Sequence, residues 1–137
     1  CPVPARCYYN THPFATKSAV TLQELAAVPI NIFPEDFAVH QCLLKQFAAQ
    51  GLKANIGITS PTSEFLLQLS QMTETICVIP APIANHYDCD GMTMIPFEPR
   101  LPWELCIVFR KNAPMSDPIK ALISHVQSCI IPPIMPL

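Results

Sequence analysis

The sequence has few charged residues and no concentration of positive charge. Of its 137 residues 13% are charged, the net charge is −2, and only Arg110 and Lys111 are adjacent basic residues. Surfaces that bind DNA or RNA usually carry a basic patch. The composition therefore argues against nucleic acid as a direct partner of these residues.

Long apolar runs and export signals are also missing. No stretch reaches the roughly 18 apolar residues that a membrane helix needs. The opening residues, CPVPARCYYN, contain no apolar core of the signal-peptide kind, and the sequence has no Asn-x-Ser/Thr glycosylation site. These absences predict a protein that is neither inserted in a membrane nor exported.

The cysteines do not form the close pairs that bind zinc or carry out thiol exchange. There are seven, an odd number, and none stands in a Cys-x-x-Cys pair. Cys42, Cys77 and Cys106 lie inside apolar patterns, where a thiol behaves as a small hydrophobe. We therefore expect a reducing compartment, the cytoplasm, and no cofactor.

Two segments contain side chains capable of chemistry, and for both a structural role is the simpler interpretation. Residues 86–91 (HYDCDG) open like a calcium loop, but the glutamate that should close such a loop is missing. A turn at Asp90-Gly91 is the simpler prediction, so we expect no metal site. His12 has neither a nucleophile nor a carboxylate near it in sequence, and a catalytic site needs such a constellation.

The most informative stretch is 28–51, which predicts a strand, a sharp loop and a long helix. An apolar β run at 30–33 ends at Pro34, because proline cannot donate to a sheet ladder. Asp36 is the predicted cap of the helix, and Gly51 ends it with a left-handed residue. The apolar face of this helix is predicted to contain Phe37, Cys42, Leu43, Leu44, Phe47 and Ala48.

Strands and helices alternate along the rest of the chain. The predicted strands are 6–9, 30–33, 54–59, 75–79, 92–97 and 103–110. The predicted helices are 21–25, 36–50, 60–72, 80–87 (as a loop or a short helix) and 116–128. Thr21 and Glu24 predict a capping box, and Ser60 with Pro61 predicts a helix start. The apolar face of that helix is predicted to contain Phe65, Leu66, Leu69 and Met72. Such alternation predicts an α/β fold, a three-layer arrangement with a mostly parallel sheet and flanking helices.

The loop 33–37 is the first candidate binding site. In open α/β sheets ligands bind beyond the carboxyl ends of strands, beside helix N-termini. A plain connection between strand and helix is the alternative, and the residues alone leave both open. No Ser-His-Asp, Cys-His or paired-carboxylate arrangement stands out, so no enzymatic activity is predicted.

Several stretches together resemble the effector-binding domain of LysR-type transcriptional regulators. The matching segments are HPFA at 12–15 (the family's HPLA), TLQEL at 21–25, PINIF at 29–33, TICVIP at 75–80, LCIVFRK at 105–111 and the final helix at 116–128. The resemblance covers about residues 8–128. One departure is that Thr73 and Thr75 stand where the family usually has glycines.

The resemblance implies a fold similar to type II periplasmic binding proteins, with two α/β subdomains and a cleft between them. On this pattern the chain is a partial effector-binding domain: about 8–105 form the second subdomain, about 106–128 return into the first, and 129–137 form a proline-rich tail. The DNA-binding domain and the opening half of the first subdomain would be absent. The implied effector-binding residues are Phe33, Pro34, Glu35, Ser60, Pro61 and Thr62.

The resemblance also implies partners. They are a small-molecule effector, further copies of the chain in a homo-oligomer, and DNA only through the absent N-terminal domain. A solute-binding protein of the same fold is the alternative, but such a protein is normally exported. An enzyme is the third possibility. A helix-turn-helix upstream of Cys1 would decide for the regulator.

Overall fold

A computed structural model describes residues 5–8, 12–73, 75–87, 91–98, 108 and 114–130. The described strands are β1 (Ala5–Tyr8), β2 (Val20–Thr21), β3 (Ile30–Ile32), β4 (Ile56–Thr59), β5 (Ile76–Pro80) and β6 (Ile95–Glu98). The described helices are α1 (Leu22–Ala26), α2 (Ala38–Ala49), α3 (Ser63–Thr73), α4 (Ala81–Ala84) and α5 (Asp117–Ile130), with a 3₁₀ turn at Pro13–Thr16. Residues 2–103 form one compact unit, and residue 1 with 104–137 forms a second.

The six described strands form one sheet in the order β2-β6-β1-β5-β3-β4. β3 runs parallel to β4 and β5, and β2 runs parallel to β6. β1 is antiparallel to both of its neighbours, β5 and β6. Five of these strands therefore share one direction, and the predicted α/β fold with a mostly parallel sheet is confirmed. The sequence pattern missed β2, which is only two residues long, and the strand predicted at 103–110 lies outside the described residues except Val108.

The core of the first unit is centred on β3 and β5. Every residue of Ile30–Ile32 and of Ile76–Pro80 is buried, which is typical of parallel strands that are covered on both faces. Cys77 is fully buried, whereas Cys42 is half-buried. Burial raises the pKa of the Cys42 thiol, with Lys45 opposing the rise. Cys106 lies outside the described residues.

The helix α2 begins later than the sequence pattern predicts. The Phe37 amide donates to the Pro34 carbonyl at 3.0 Å, which closes a turn before the helix. The N-cap residue of α2 is Phe37, not Asp36, and no side chain caps the helix, so the predicted Asp36 cap is wrong. The predicted end is confirmed, since Gly51 follows the helix with φ +67°. The buried positions are Val39, His40, Leu43 and Phe47, whereas Phe37 and Leu44 are more than one third exposed.

The predicted face and start of α3 are also corrected. The Ser60 hydroxyl accepts from the Thr62 amide at 3.2 Å, and the helix begins at Ser63, so Ser60 and Pro61 belong to the preceding loop. Its buried residues are Leu66, Leu67 and Ser70. The predicted apolar face was Phe65, Leu66, Leu69 and Met72, but Phe65 is 49% and Met72 83% exposed. The apolar residues of α3 thus point in two directions, and only one group faces the sheet.

The capping box of α1 is confirmed. The Thr21 hydroxyl accepts from the Glu24 amide at 3.3 Å, and the Glu24 carboxylate accepts from the Thr21 amide at 3.0 Å. Lys17 forms an ion pair with the same carboxylate. The Lys17 ammonium and the Thr21 donors lower the pKa of Glu24 to about 2.

This arrangement makes stability depend on acid pH. The pKa of Glu24 is lower in the folded chain than its ordinary value of 4.5, so its contribution is complete above about 4.5 and is lost as pH falls toward about 2. Glu24→Gln keeps a residue that can complete the capping box but removes the charge. Its free energy of unfolding, measured by denaturant titration, is therefore expected to fall less than that of the parent chain between pH 4.5 and 2. Glu64→Gln, in the first turn of α3, is the control and is expected to retain the full acid loss; equal curves for the parent and Glu24→Gln would contradict the assignment.

The second unit is described mainly through α5. The Lys120 amide donates to the Ser116 carbonyl at 3.0 Å, which starts the helix near the predicted position. Ile119 and Leu122 are 41% and 61% exposed, and Ile123 and Val126 are half-buried. These four residues form the α5 stripe. No described helix has the length and apolar content needed to cross a membrane.

Candidate effector site

The carboxyl ends of β3 and β4 meet at one edge of the sheet. The two strands are parallel neighbours, and the Ser60 amide donates to the Ile32 carbonyl at 3.2 Å, just beyond the end of β4. This bond joins the connection after β3 to the connection after β4. The two segments that contain all six predicted site residues, 33–35 and 60–62, therefore lie side by side.

The first segment, 33–35, is held by contacts with Phe37 and with two side chains of α2. Phe33 is 4% exposed and stacks on Phe37, with ring centroids 5.0 Å apart and an interplanar angle of 10°. Its carbonyl lies 2.6 Å from Nδ1 of the buried His40. Because a carbonyl can only accept, Nδ1 is the protonated nitrogen in this contact. The Glu35 carbonyl accepts from the Gln41 side chain at 3.1 Å, so α2 fixes the loop at two points.

The six predicted residues differ in how much of each reaches the surface. Phe33 and Ser60 are buried, and Pro34 is half-buried. Glu35, Pro61 and Thr62 are exposed. A ligand at this edge would therefore meet the exposed side chains and the backbone, while Phe33 and Ser60 shape the loops from below.

A third connection reaches the same edge, and the sequence analysis missed it. The Ser63 hydroxyl lies 2.9 Å from the Tyr87 hydroxyl, which joins the first turn of α3 to the segment after α4. Tyr87 also packs partly against the core. It follows β5, the other parallel neighbour of β3. The strand-end rule applied to β5 would have pointed to this segment, but periodicity alone does not show which strands are neighbours.

At this edge of the sheet, the backbone N–H groups and the charged side chains favour ligands of opposite charge. The first turns of α2 and α3 present backbone N–H groups, which favour negative charge. Glu35 and Asp36, both exposed, and Glu64 supply negative side chains instead. The edge can therefore offer hydrogen-bond donors and acceptors to a small polar molecule, and neither sign of ligand charge is selected by the described side chains.

A groove of about 540 Å³ runs along α2 to the amino end of β4. Its lining is mainly apolar. It consists of Glu35, His40, Leu44, Phe47, Ala48, Leu52, Lys53, Ala54, Asn55 and Ile56. β4 is an edge strand of the described sheet. The groove extends from Glu35, beyond the carboxyl end of β3, to the residues that open β4, so it shares Glu35 with the candidate site.

In the segment considered as a calcium loop, 86–91, residues 88–90 lie outside the described residues. Gly91 is described and has φ +76°, the left-handed backbone that a turn at Asp90-Gly91 requires. Among the described residues no group of three His, Cys, Asp or Glu side chains is placed to hold a metal ion.

The described elements form an α/β domain, and comparison with known proteins gives its family. Residues 7–129 match the model of the LysR substrate binding domain, so the chain belongs to this family. The resemblance inferred from the sequence motifs is thereby confirmed. The family is one of domains from transcriptional regulators.

One curated relative is the uncharacterized HTH-type transcriptional regulator YwbI of Bacillus subtilis (strain 168). It is 26% identical over 126 residues, which cover 91% of this chain and 42% of the relative. The chain thus spans less than half the length of the relative that it matches.

Solved structures share the fold at low sequence identity. HinK, a LysR family transcriptional regulator from Pseudomonas aeruginosa, superposes with a TM-score of 0.76 at 17% identity, over 94% of this chain and 45% of that one. The regulatory domain of CcmR from Synechocystis PCC6803, solved in complex with 2-PG, gives a TM-score of 0.74 at 13% identity, over 100% and 68%. The periplasmic-binding-protein-like fold implied by the sequence is therefore confirmed.

Proposed function

We propose that the chain is the effector-sensing part of a LysR-type transcriptional regulator and that the effector binds at the carboxyl ends of β3 and β4. The observation that carries the proposal is the Ser60–Ile32 hydrogen bond, which brings the two predicted loops together. Family membership supports a regulator, and the strand-end position supports a ligand site. The effector is a small molecule, and no enzymatic step is assigned to the chain.

The six predicted residues have two kinds of role in this proposal. Glu35, Pro61 and Thr62 are exposed and contact the effector, while Phe33, Pro34 and Ser60 fix the loops that carry them. Tyr87 and Ser63 extend the site toward the end of β5. DNA binding belongs to another region of the regulator, which acts in the cytoplasm.

A ligand screen tests the proposal directly. The melting temperature of the 137-residue chain is measured with a panel of small carboxylates and uncharged metabolites, starting with 2-PG. A ligand at 100 times its dissociation constant should stabilise the fold by about 2.7 kcal/mol. Calorimetry then gives the affinity, and amide chemical shifts give the location.

The expected result is at least one ligand whose shifts cluster at 33–35 and 60–63. A ligand whose shifts are confined to the far part of the α2 groove, residues 44–56, would contradict the proposed site. A panel without any stabilising member would contradict effector sensing by this chain.

We also propose that copies of the chain self-associate through the α5 stripe. Ile119 and Leu122 leave apolar surface on an amphipathic helix, and such a stripe is normally buried against a partner. A second copy supplies the same apolar surface and needs no other molecule.

A further inference from the structure

The amide side chain of Asn31 lies at the centre of a buried polar cluster. Asn31 is in β3 and is 2% exposed. Its Oδ1 accepts from the Ile58 amide at 3.1 Å, and its Nδ2 donates to the Ser70 hydroxyl at 3.1 Å and to the Thr75 hydroxyl at 2.6 Å. These contacts reach β4, α3 and the start of β5. A buried amide with all of these bonds in place is well satisfied and strongly specifies its surroundings.

The pairing between β3 and β4 changes register beside this cluster. Ile30 is opposite Ile56, but Ile32 is opposite Thr59, so β4 contains one residue more than β3 between the two pairs. Such a bulge leaves a backbone group without its usual ladder partner. The Ile58 amide lies within the bulge and bonds to the Asn31 side chain. The side chain therefore takes the place of a backbone acceptor.

The bulge decides which residue of β4 reaches the end of β3. Because the bulge takes up the extra residue of β4, the Ser60 amide donates a hydrogen bond to the Ile32 carbonyl. Without the bulge, the chain beyond it would be displaced by one residue relative to β3, and the side chains there would point to the opposite face of the sheet. The position of the Ser60–Thr62 loop therefore depends on the register that Asn31 accommodates.

Gly57 leaves the space that the Asn31 amide occupies. A Cβ atom built at Gly57 would lie 3.0 Å from Asn31 Oδ1, while its next contacts, the Ile30 carbonyl and the Pro29 Cβ, are at 3.5 Å. The backbone of Gly57 is outside the left-handed region, so a side chain is disfavoured there only by the amide. Thr75, which stands where the family pattern has a glycine, completes the cluster and lies 2.8 Å from the Thr73 hydroxyl.

We propose that Asn31 is a positioning residue of the effector site: by bonding the Ile58 amide it holds the bulged register of β4 and thereby places the Ser60–Thr62 loop. Its functional meaning depends on the effector site proposed above, but the placement itself does not. Asn31 touches no effector and acts only through β4. Gly57 belongs to the same arrangement, because its lack of a side chain leaves room for the Asn31 amide.

Hydrogen exchange of backbone amides tests the placement without any ligand. In Asn31→Ala the Ile58 amide loses its acceptor, so protection at Ile58 and Ser60 is expected to fall at least about tenfold more than protection at Cys77–Ile79 in β5. Asn31→Asp retains an oxygen for the Ile58 amide. It is expected to lose protection uniformly, because the buried carboxylate weakens the whole unit.

Ser70→Ala is the matched control. It removes a partner from the same cluster but leaves the bond between Asn31 and Ile58, so its loss of protection should also be uniform. A uniform loss in Asn31→Ala would overturn the proposal, and so would a selective loss at Ile58 and Ser60 in Ser70→Ala. Either result would leave the effector site itself untouched, since that is read by ligand binding.

Gly57→Ala gives a second test that does not depend on removing the amide. In the parent chain the new Cβ must displace Asn31, so the melting temperature should fall and Ile58 and Ser60 should lose protection selectively. In the Asn31→Ala background the obstacle is gone, and alanine is preferred to glycine in a strand. The same substitution is then expected to raise the melting temperature. An effect of the same sign in both backgrounds would overturn the pairing of Gly57 with Asn31.

Discussion

Replacing Thr62 by lysine is expected to weaken effector binding at least about tenfold, or about 1.4 kcal/mol, while the melting temperature changes by no more than about 2 °C. Thr62 is exposed at the proposed site, and its structural contacts are made by its backbone: the amide donates to the Ser60 hydroxyl, and the carbonyl accepts from the Leu66 amide. Lysine retains both backbone groups. The long charged side chain would occupy the space above the two loops, so it interferes with the ligand and not with the fold.

Gln68→Lys is the matched control for this experiment. Gln68 is exposed on α3, beyond the loop that contains Thr62, and the substitution adds the same charge away from the proposed site. Calorimetry with a ligand found in the screen should give an affinity for Gln68→Lys close to that of the parent. If both lysine variants bind equally well, Thr62 does not belong to the site.

Charged replacements of Phe33 or Ser60 would be less informative, although both are predicted site residues. Phe33 stacks on Phe37 and is 4% exposed, and Ser60 is 9% exposed. A charge at either position would be buried without a partner, which destabilises a fold strongly. A loss of binding in such variants would report unfolding as much as it reports the site.

Leu122→Asp is expected to convert a self-associating chain into a monomer at micromolar concentration. The α5 stripe consists of Ile119, Leu122, Ile123 and Val126, and Leu122 is its most exposed member at 61%. Because Ile123 and Val126 are already half-buried, the gain comes mainly from Ile119 and Leu122, at no more than about 1.5–3 kcal/mol for each side chain that becomes buried. With two copies this is at most on the order of 6–12 kcal/mol, against an association cost of about 4–15 kcal/mol. Because the balance is close, one carboxylate in the middle of the stripe is enough to reverse it.

Sedimentation equilibrium of the 137-residue chain measures this effect. Ser124→Asp places the same charge at an exposed position of α5 on the other side from the stripe, so it should retain the association of the parent. A parent chain that stays monomeric up to millimolar concentration would contradict the proposal. Loss of association in both aspartate variants would show that charge, and not the stripe, controls it.

The order and type of the elements could be predicted because they depend on local patterns. Apolar runs gave β3 and β5, and the Thr21–Glu24 pair gave the start of α1. The predicted starts of α2 and α3 were wrong. α2 begins later because the Pro34 carbonyl closes a turn before it, and α3 begins later because the Ser60 hydroxyl bonds within its own loop. Asp36 and Ser60 have the side chains of caps, but the backbone around them is already engaged.

The candidate site was predicted from two sources. The strand-end rule indicated the loop 33–37, and the family resemblance implied 60–62 as well as 33–35; the structure places these segments side by side. Tyr87 and Asn31 were not found, because their partners lie far away in sequence: Ser63 for Tyr87, and Ser70, Thr75 and Ile58 for Asn31. Contacts of this kind depend on which strands are neighbours, and a single sequence carries no periodic signal for that.

The antiparallel strand β1 has a consequence for how the chain folds. The segment β3-α2-β4-α3-β5 is built from consecutive strand–helix–strand units, so it forms through contacts between residues that are near in sequence. β1 instead pairs Ala5 with Pro80 and Cys7 with Ile95, and these contacts carry a large loop-closure entropy. High contact order slows folding, so β1 and β6 are expected to join the sheet after the local units have formed. Because β1 precedes both of its neighbours along the chain, it leaves the ribosome before them, and until they follow its backbone groups are open to pairing with other nascent chains.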